Sequence, residues 1–148
     1  MFVSTIAGAT VPLAAPSDVD LHVAYCLGTE EIFLITQRGK IASTNPSTNG
    51  LYKQSAAAAQ LRLDRLNSYL DVRLPLLREE KMTAASKQGY ADAKFTLTDP
   101  AETACGRTCW QSLPDPRRLS LGLVESCLAK CDNRLPKIWS CKDLSWLP

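Results

Sequence analysis

A chain of 148 residues, 45% hydrophobic and 22% charged, is long enough to bury a real core as one domain. Its net charge of +2 gives no case for nucleic acid, which calls for a dense basic face. Six cysteines, an even count, suit a disulfide framework and an oxidising compartment.

Residues 1–16 carry no charge and are rich in small apolar side chains. They read as a flexible apolar segment or a signal remnant, with Ala7-Gly8-Ala9 as a candidate Ala-x-Ala cleavage site. The basic stretch that opens a signal peptide is missing, since the first Lys or Arg is Arg38. Gly8, Pro12 and Pro16 dilute a run already short for a bilayer, so no membrane span is expected. The expected location is secreted or periplasmic, with residues 17–148 forming a single helical domain.

The first helix is predicted from Ser17, which with Asp20 makes a passable N-terminal cap although a capping box prefers Glu or Gln there, to a stop at Gly39. Leu21, Ala24, Tyr25, Gly28, Ile32 and Ile35 set its apolar stripe. A strand over "IFLIT" is the competing reading. Asn45-Pro46 and Asn49-Gly50 mark a loop. An alanine- and leucine-rich helix follows over 51–95, with Leu51, Ala58, Leu61, Leu66, Tyr69, Leu70 and Leu77 as its stripe. Arg62, Asp64 and Arg65 are expected on its outer side, and Pro75 should kink or divide it. Asp99 caps a short helix that begins at Pro100 and runs to about Leu113. After a turn at Pro114–Pro116, a last helix is predicted over 117–134, ended by Pro136. The fold class is therefore all-α: a small helical bundle with a stapled C-terminal hairpin.

Cys105 with Cys109, and Cys127 with Cys131, form two Cys-x3-Cys pairs, each on one face of its helix. Two antiparallel helices joined at the Pro114–Pro116 turn would nest the bridges, Cys109 to Cys127 inside and Cys105 to Cys131 outside. Linking within a pair would strain the sulfur geometry. Cys26 and Cys141 then make the simplest third bridge. The alternative is a metal centre in which Cys105, Cys109, Cys127 and Cys131 hold zinc or a cuprous ion as thiolates. The spacing in "CGRTC" and "CLAKC" resembles the twin Cys-x3-Cys helical hairpins of small Tim chaperones and of plant hairpin peptides. That resemblance covers the hairpin motif alone, implies a disulfide-stapled hairpin, and makes the mitochondrial intermembrane space the alternative location.

Asp18, His22 and Cys26 stand at steps of four and would show a carboxylate, an imidazole and a thiol on one helical face. A thiol enzyme built on Cys26 and His22 is thus the catalytic alternative. No phosphate loop, serine elbow or histidine metal motif is present, and no cofactor is called for. All three tryptophans, Trp110, Trp139 and Trp146, lie late in the chain. Trp110 is expected to pack around the hairpin. Trp139 and Trp146 lie in a tail too short for its own core, with Arg134, Lys137 and Lys142 as a cationic rim. The expected function is accordingly non-catalytic binding, as an accessory subunit or small envelope factor, with another protein as partner.

Overall fold

The computed structural model describes residues 12–111 and 126–148, without the side chains of Pro100, Glu102 and Trp110. The protein is all-α. Helices α1 (Asp18–Ser43), α2 (Gly50–Arg73), α3 (Glu79–Thr98), α4 (Pro100–Gln111) and α5 (Leu135–Ser140) are accompanied by 3-10 turns at Leu74–Leu76 and Leu144–Trp146. No strand forms among the described residues, although Ala14 and Leu77 make an isolated parallel bridge. The Pro114–Pro116 turn, residues 117–125 of the helix expected over 117–134, the Trp110 side chain and residues 1–11 lie outside the described residues, and the expected helix does not continue past residue 128.

Helix α1 opens at the expected cap, which forms a full capping box with Asp in place of Glu or Gln. Ser17 Oγ accepts from Asp20 N at 3.2 Å, and the Asp20 carboxylate accepts from Ser17 N at 2.8 Å. The "IFLIT" run is helical, and the helix passes through Gly39 to Ser43. A glycine stops a helix by turning left-handed, and Gly39 has no positive φ. The Asn45-Pro46 turn ends the helix instead. The buried line runs Val23, Cys26, Glu30, Leu34, Gln37, at helical steps of three and four. Ile35, expected on the inner stripe, is 51% exposed.

Pro75 divides the long predicted helix: α2 ends at Arg73, a 3-10 turn takes Leu74–Leu76, and α3 starts at Glu79. Proline lacks the N–H that would continue the ladder. The α2 stripe is also rotated from expectation. Leu66, Leu70 and Leu77 are buried, but Leu51 and Leu61 are exposed, and Ala59 rather than Ala58 faces inward. The inner line is Ala59, Arg62, Leu66, Leu70. Arg62 turns in because the carboxylate of Glu30 waits there on α1, at 2.8 Å. At the other end Arg73 grips Asp20 through two nitrogens, and Tyr69 Oη donates to the same carboxylate at 3.1 Å. Asp20 and Glu30 are both fully buried, so these pairs set the antiparallel register of α1 and α2. Arg73 and its neighbours hold the Asp20 carboxyl far below the usual carboxylate range, against the opposing effect of burial.

Helices α1 and α3 pack backbone to backbone. A Cβ placed at Gly28 would collide with the carbonyl oxygen of Ser86, and one at Gly89 with that of Tyr25. Thr29 Oγ1 lies 3.3 Å from the Gly89 carbonyl, and Tyr25 Oη donates to Asp92 at 2.9 Å. Burial, with the Asp92 carboxylate beside it, pushes the Tyr25 phenol well above its ordinary value.

The cysteines are all in disulfides: Cys26–Cys141, Cys105–Cys131 and Cys109–Cys127, with Cα separations of 5.2, 5.9 and 5.6 Å. The two hairpin bridges have the nested order expected of antiparallel helices. Asp99 Oδ1 accepts from Ala101 N at 2.9 Å and caps α4. Residues 126–128 are helical, and Leu128 is fully buried in a core shared with Val23, Leu66, Leu135 and Cys141.

Candidate binding groove

The tail after Cys131 docks on the helices. Asp132 and Arg134 form an ion pair, and Pro136 sits in the first turn of α5 instead of ending a longer helix. Proline fits there because a first-turn N–H has no helical partner. Leu135, Ile138, Cys141 and Leu144 are buried, and the Cys26–Cys141 bridge ties α5 to the middle of α1.

This docking separates the residues that the sequence groups together. Trp146 faces inward: its Nε1 donates to the Ser140 carbonyl at 2.9 Å, and its ring meets His22 edge-on at 4.4 Å. Arg134 lies over the Phe95 ring at 3.9 Å. Lys137 Nζ stands 4.1 Å from the centre of the Tyr25 ring. Lys142 reaches Glu30 Oε1 at 2.6 Å and covers the Phe33 ring at 3.7 Å. Trp139 and Lys142 are the two expected site residues that remain together.

They share a groove between α1, α3, α4 and α5. Two adjoining clefts have Thr96, Leu97, Leu135 and Trp139 as common walls. The outer one, about 310 Å³, extends to Thr103 and Arg107 of α4. The inner one, about 130 Å³, continues past Phe33 and Ile138 to Lys142. The lining is mostly aliphatic and aromatic, as ligand sites generally are. Leu97 is 37% exposed at its edge. Disulfides tie three of the four walls, α1 and α5 by Cys26–Cys141 and α4 by the hairpin bridges, while α3 is held against α1 by the close packing at Gly28 and Gly89.

Another cleft of about 460 Å³, more polar than the groove, holds Asp18, His22, Lys81, Gln88 and Lys137. It contains two members of the sequence's catalytic trio. Cys26, the third, is bonded to Cys141 and offers no thiolate. His22 Nε2 is 3.0 Å from Ser140 Oγ and 3.8 Å from Cys26 Sγ. Burial, helped by the Lys137 charge, lowers the imidazole below its ordinary basicity. His22 is therefore held as a neutral packing group between Trp146 and Ser140. At the hairpin, Sγ atoms of Cys105, Cys109 and Cys131 lie within 4.8 Å of one another. Paired as disulfides, they and Cys127 carry no thiolate charge with which to hold a metal.

Phe33, Leu97 and Glu30 escape the sequence reading. Glu30 left a signal, being four residues after Cys26 on the line that becomes α1's buried face. Its cations come from α2 and from the tail, which periodicity cannot connect. No protein-family model, characterised protein or solved structure matches the chain.

Proposed function

We propose that this is an exported, disulfide-stabilised helical protein that acts by binding, seating an apolar group of its partner against Trp139. The groove around Trp139 carries this reading: it is apolar, partly open and built from elements held by disulfides or, for α3, by close helix packing. Such preorganisation favours binding because little order has to be imposed when the partner arrives. Export is supported by the oxidation of all six cysteines. Among the described residues no helix is long and apolar enough to cross a membrane.

The test is titration with N-phenyl-1-naphthylamine, a neutral apolar fluorophore, alongside thermal melts. Trp139→Ala should weaken the probe by roughly tenfold while the protein still melts cooperatively above the assay temperature. Trp146→Ala should lower the melt and leave probe affinity unchanged, since its indole ties the tail to α1. Undiminished binding to the Trp139→Ala protein would remove the groove from the reading.

A further inference from the structure

The cluster of Glu30, Arg62 and Lys142 is unbalanced in charge. One carboxylate faces two cations, with Arg62 donating to Oε2 at 3.0 and 2.8 Å and Lys142 to Oε1 at 2.6 Å. Glu30 is fully buried, whereas the Lys142 side chain is 24% exposed and forms the inner end of the groove. One net positive charge therefore stands at the end of an apolar trough. The charged side chains among the described groove residues are Arg107 and Lys142, both cationic. An ammonium has three donors, and Lys142 spends one on Glu30, so it can serve another acceptor. Burial and the Arg62 charge, opposed by Glu30, push the Lys142 ammonium down to about 8. A second carboxylate beside it would relieve the same imbalance.

We propose that the groove binds a long-chain carboxylate, a fatty-acid-like anion, with its alkyl chain along Leu97, Leu135, Trp139 and Phe33 and its carboxylate at Lys142. This rests on the groove being the binding site and adds the chemistry of the occupant. A single negative charge matches the one excess positive charge of the Glu30–Arg62–Lys142 cluster at the inner end. The size agrees as well: the outer cleft of about 310 Å³ falls at the small end of small-molecule sites. A stable protein partner would need on the order of 1,000 Å² of buried surface.

The experiment is displacement of N-phenyl-1-naphthylamine from the full chain by laurate, dodecanol and dodecylammonium, three ligands with the same alkyl length. Laurate should compete roughly tenfold better than dodecanol, the worth of one charge-assisted hydrogen bond, and dodecylammonium should compete worst. Lys142→Gln should abolish the preference for laurate and leave dodecanol unaffected. If that variant does not fold, the wild-type series decides alone. Equal competition by laurate and dodecanol would overturn the carboxylate site while probe binding still upholds the groove. Loss of probe binding as the protein dimerises at high concentration would also overturn it, making a second copy the occupant. Failure of the probe itself to bind would instead remove the underlying reading.

Discussion

Where α1 crosses α3, Gly28 and Gly89 let two backbones touch, and no covalent link joins the helices. Where α4 meets residues 126–131, the contact is made by two disulfides, Cys105–Cys131 and Cys109–Cys127. Among the described residues, Leu128 is the large side chain fully buried there. The first region has enough intimate packing to be held by noncovalent forces. The second, among its described residues, has a small local core and depends on cross-links, which restrict its unfolded chain instead of enriching its folded contacts. The groove lies at their junction, with Phe33 on one side and Arg107 on the other. A binding surface placed there borrows rigidity from both.

The largest effect should come from the crossing. Gly28→Val or Gly89→Val places side-chain atoms against a backbone carbonyl that cannot rotate away, and about 3 kcal/mol or more of stability should be lost. Urea denaturation measures this, and a loss below about 1 kcal/mol would mean that the helices separate easily. Removing the inner staple with Cys109→Ala and Cys127→Ala should cost roughly 3 kcal/mol in the chain-entropy model. The response should be local: hydrogen exchange should quicken over 100–111 and 126–131, while amides at the Gly28–Gly89 crossing keep their protection. Uniform loss of protection would erase the contrast between the two regions.

A third substitution acts where the regions join. Glu30→Gln leaves Arg62 and Lys142 without their shared anion. Buried pairs broken on one side lose several kcal/mol, but these cations are partly exposed, so about 2 kcal/mol is expected. Adding Lys142→Met should recover part of it, as a double-mutant cycle would reveal.

How far the sequence foretold this depended on the range of each interaction. The Ser17–Asp20 cap, the Asp99 cap and the break at Pro75 are local, and each was legible. Nested cysteine pairing was legible because the Cys-x3-Cys repeat encodes a register. The rotation of α2 was not. Leu51 and Leu61 fit a helical stripe as well as Leu66 does, and only the buried Glu30 on another helix decides that Arg62 turns inward. Likewise, Trp139 and Trp146 are equivalent by composition. Their different fates follow from Cys26–Cys141, which presses Trp146 onto His22 and leaves Trp139 along the groove.

The smallest effect is the pH response of that tail. His22 is the chain's single histidine, and its folded basicity is lowered by burial and Lys137. The fold thus disfavours the proton. The stability it contributes as a neutral group is complete above its unfolded pKa near 6.5 and falls as pH drops through and below that value. The Asp20 carboxyl, held far lower, titrates only in much stronger acid. Melts between pH 7.5 and pH 5 should decline in the wild type and flatten in His22→Gln. An equal decline in both would clear His22 of the effect.

The most direct test of binding at Trp139 is to follow the indole N–H resonances of the 15N-labelled protein, assigned by single tryptophan substitutions, during titration with N-phenyl-1-naphthylamine. The Trp139 signal should shift in a saturable manner while the Trp146 signal, hydrogen-bonded to Ser140, stays in place. Movement of Trp146 with Trp139 unchanged, or no saturable shift in either, would contradict the assignment of this groove as the binding site.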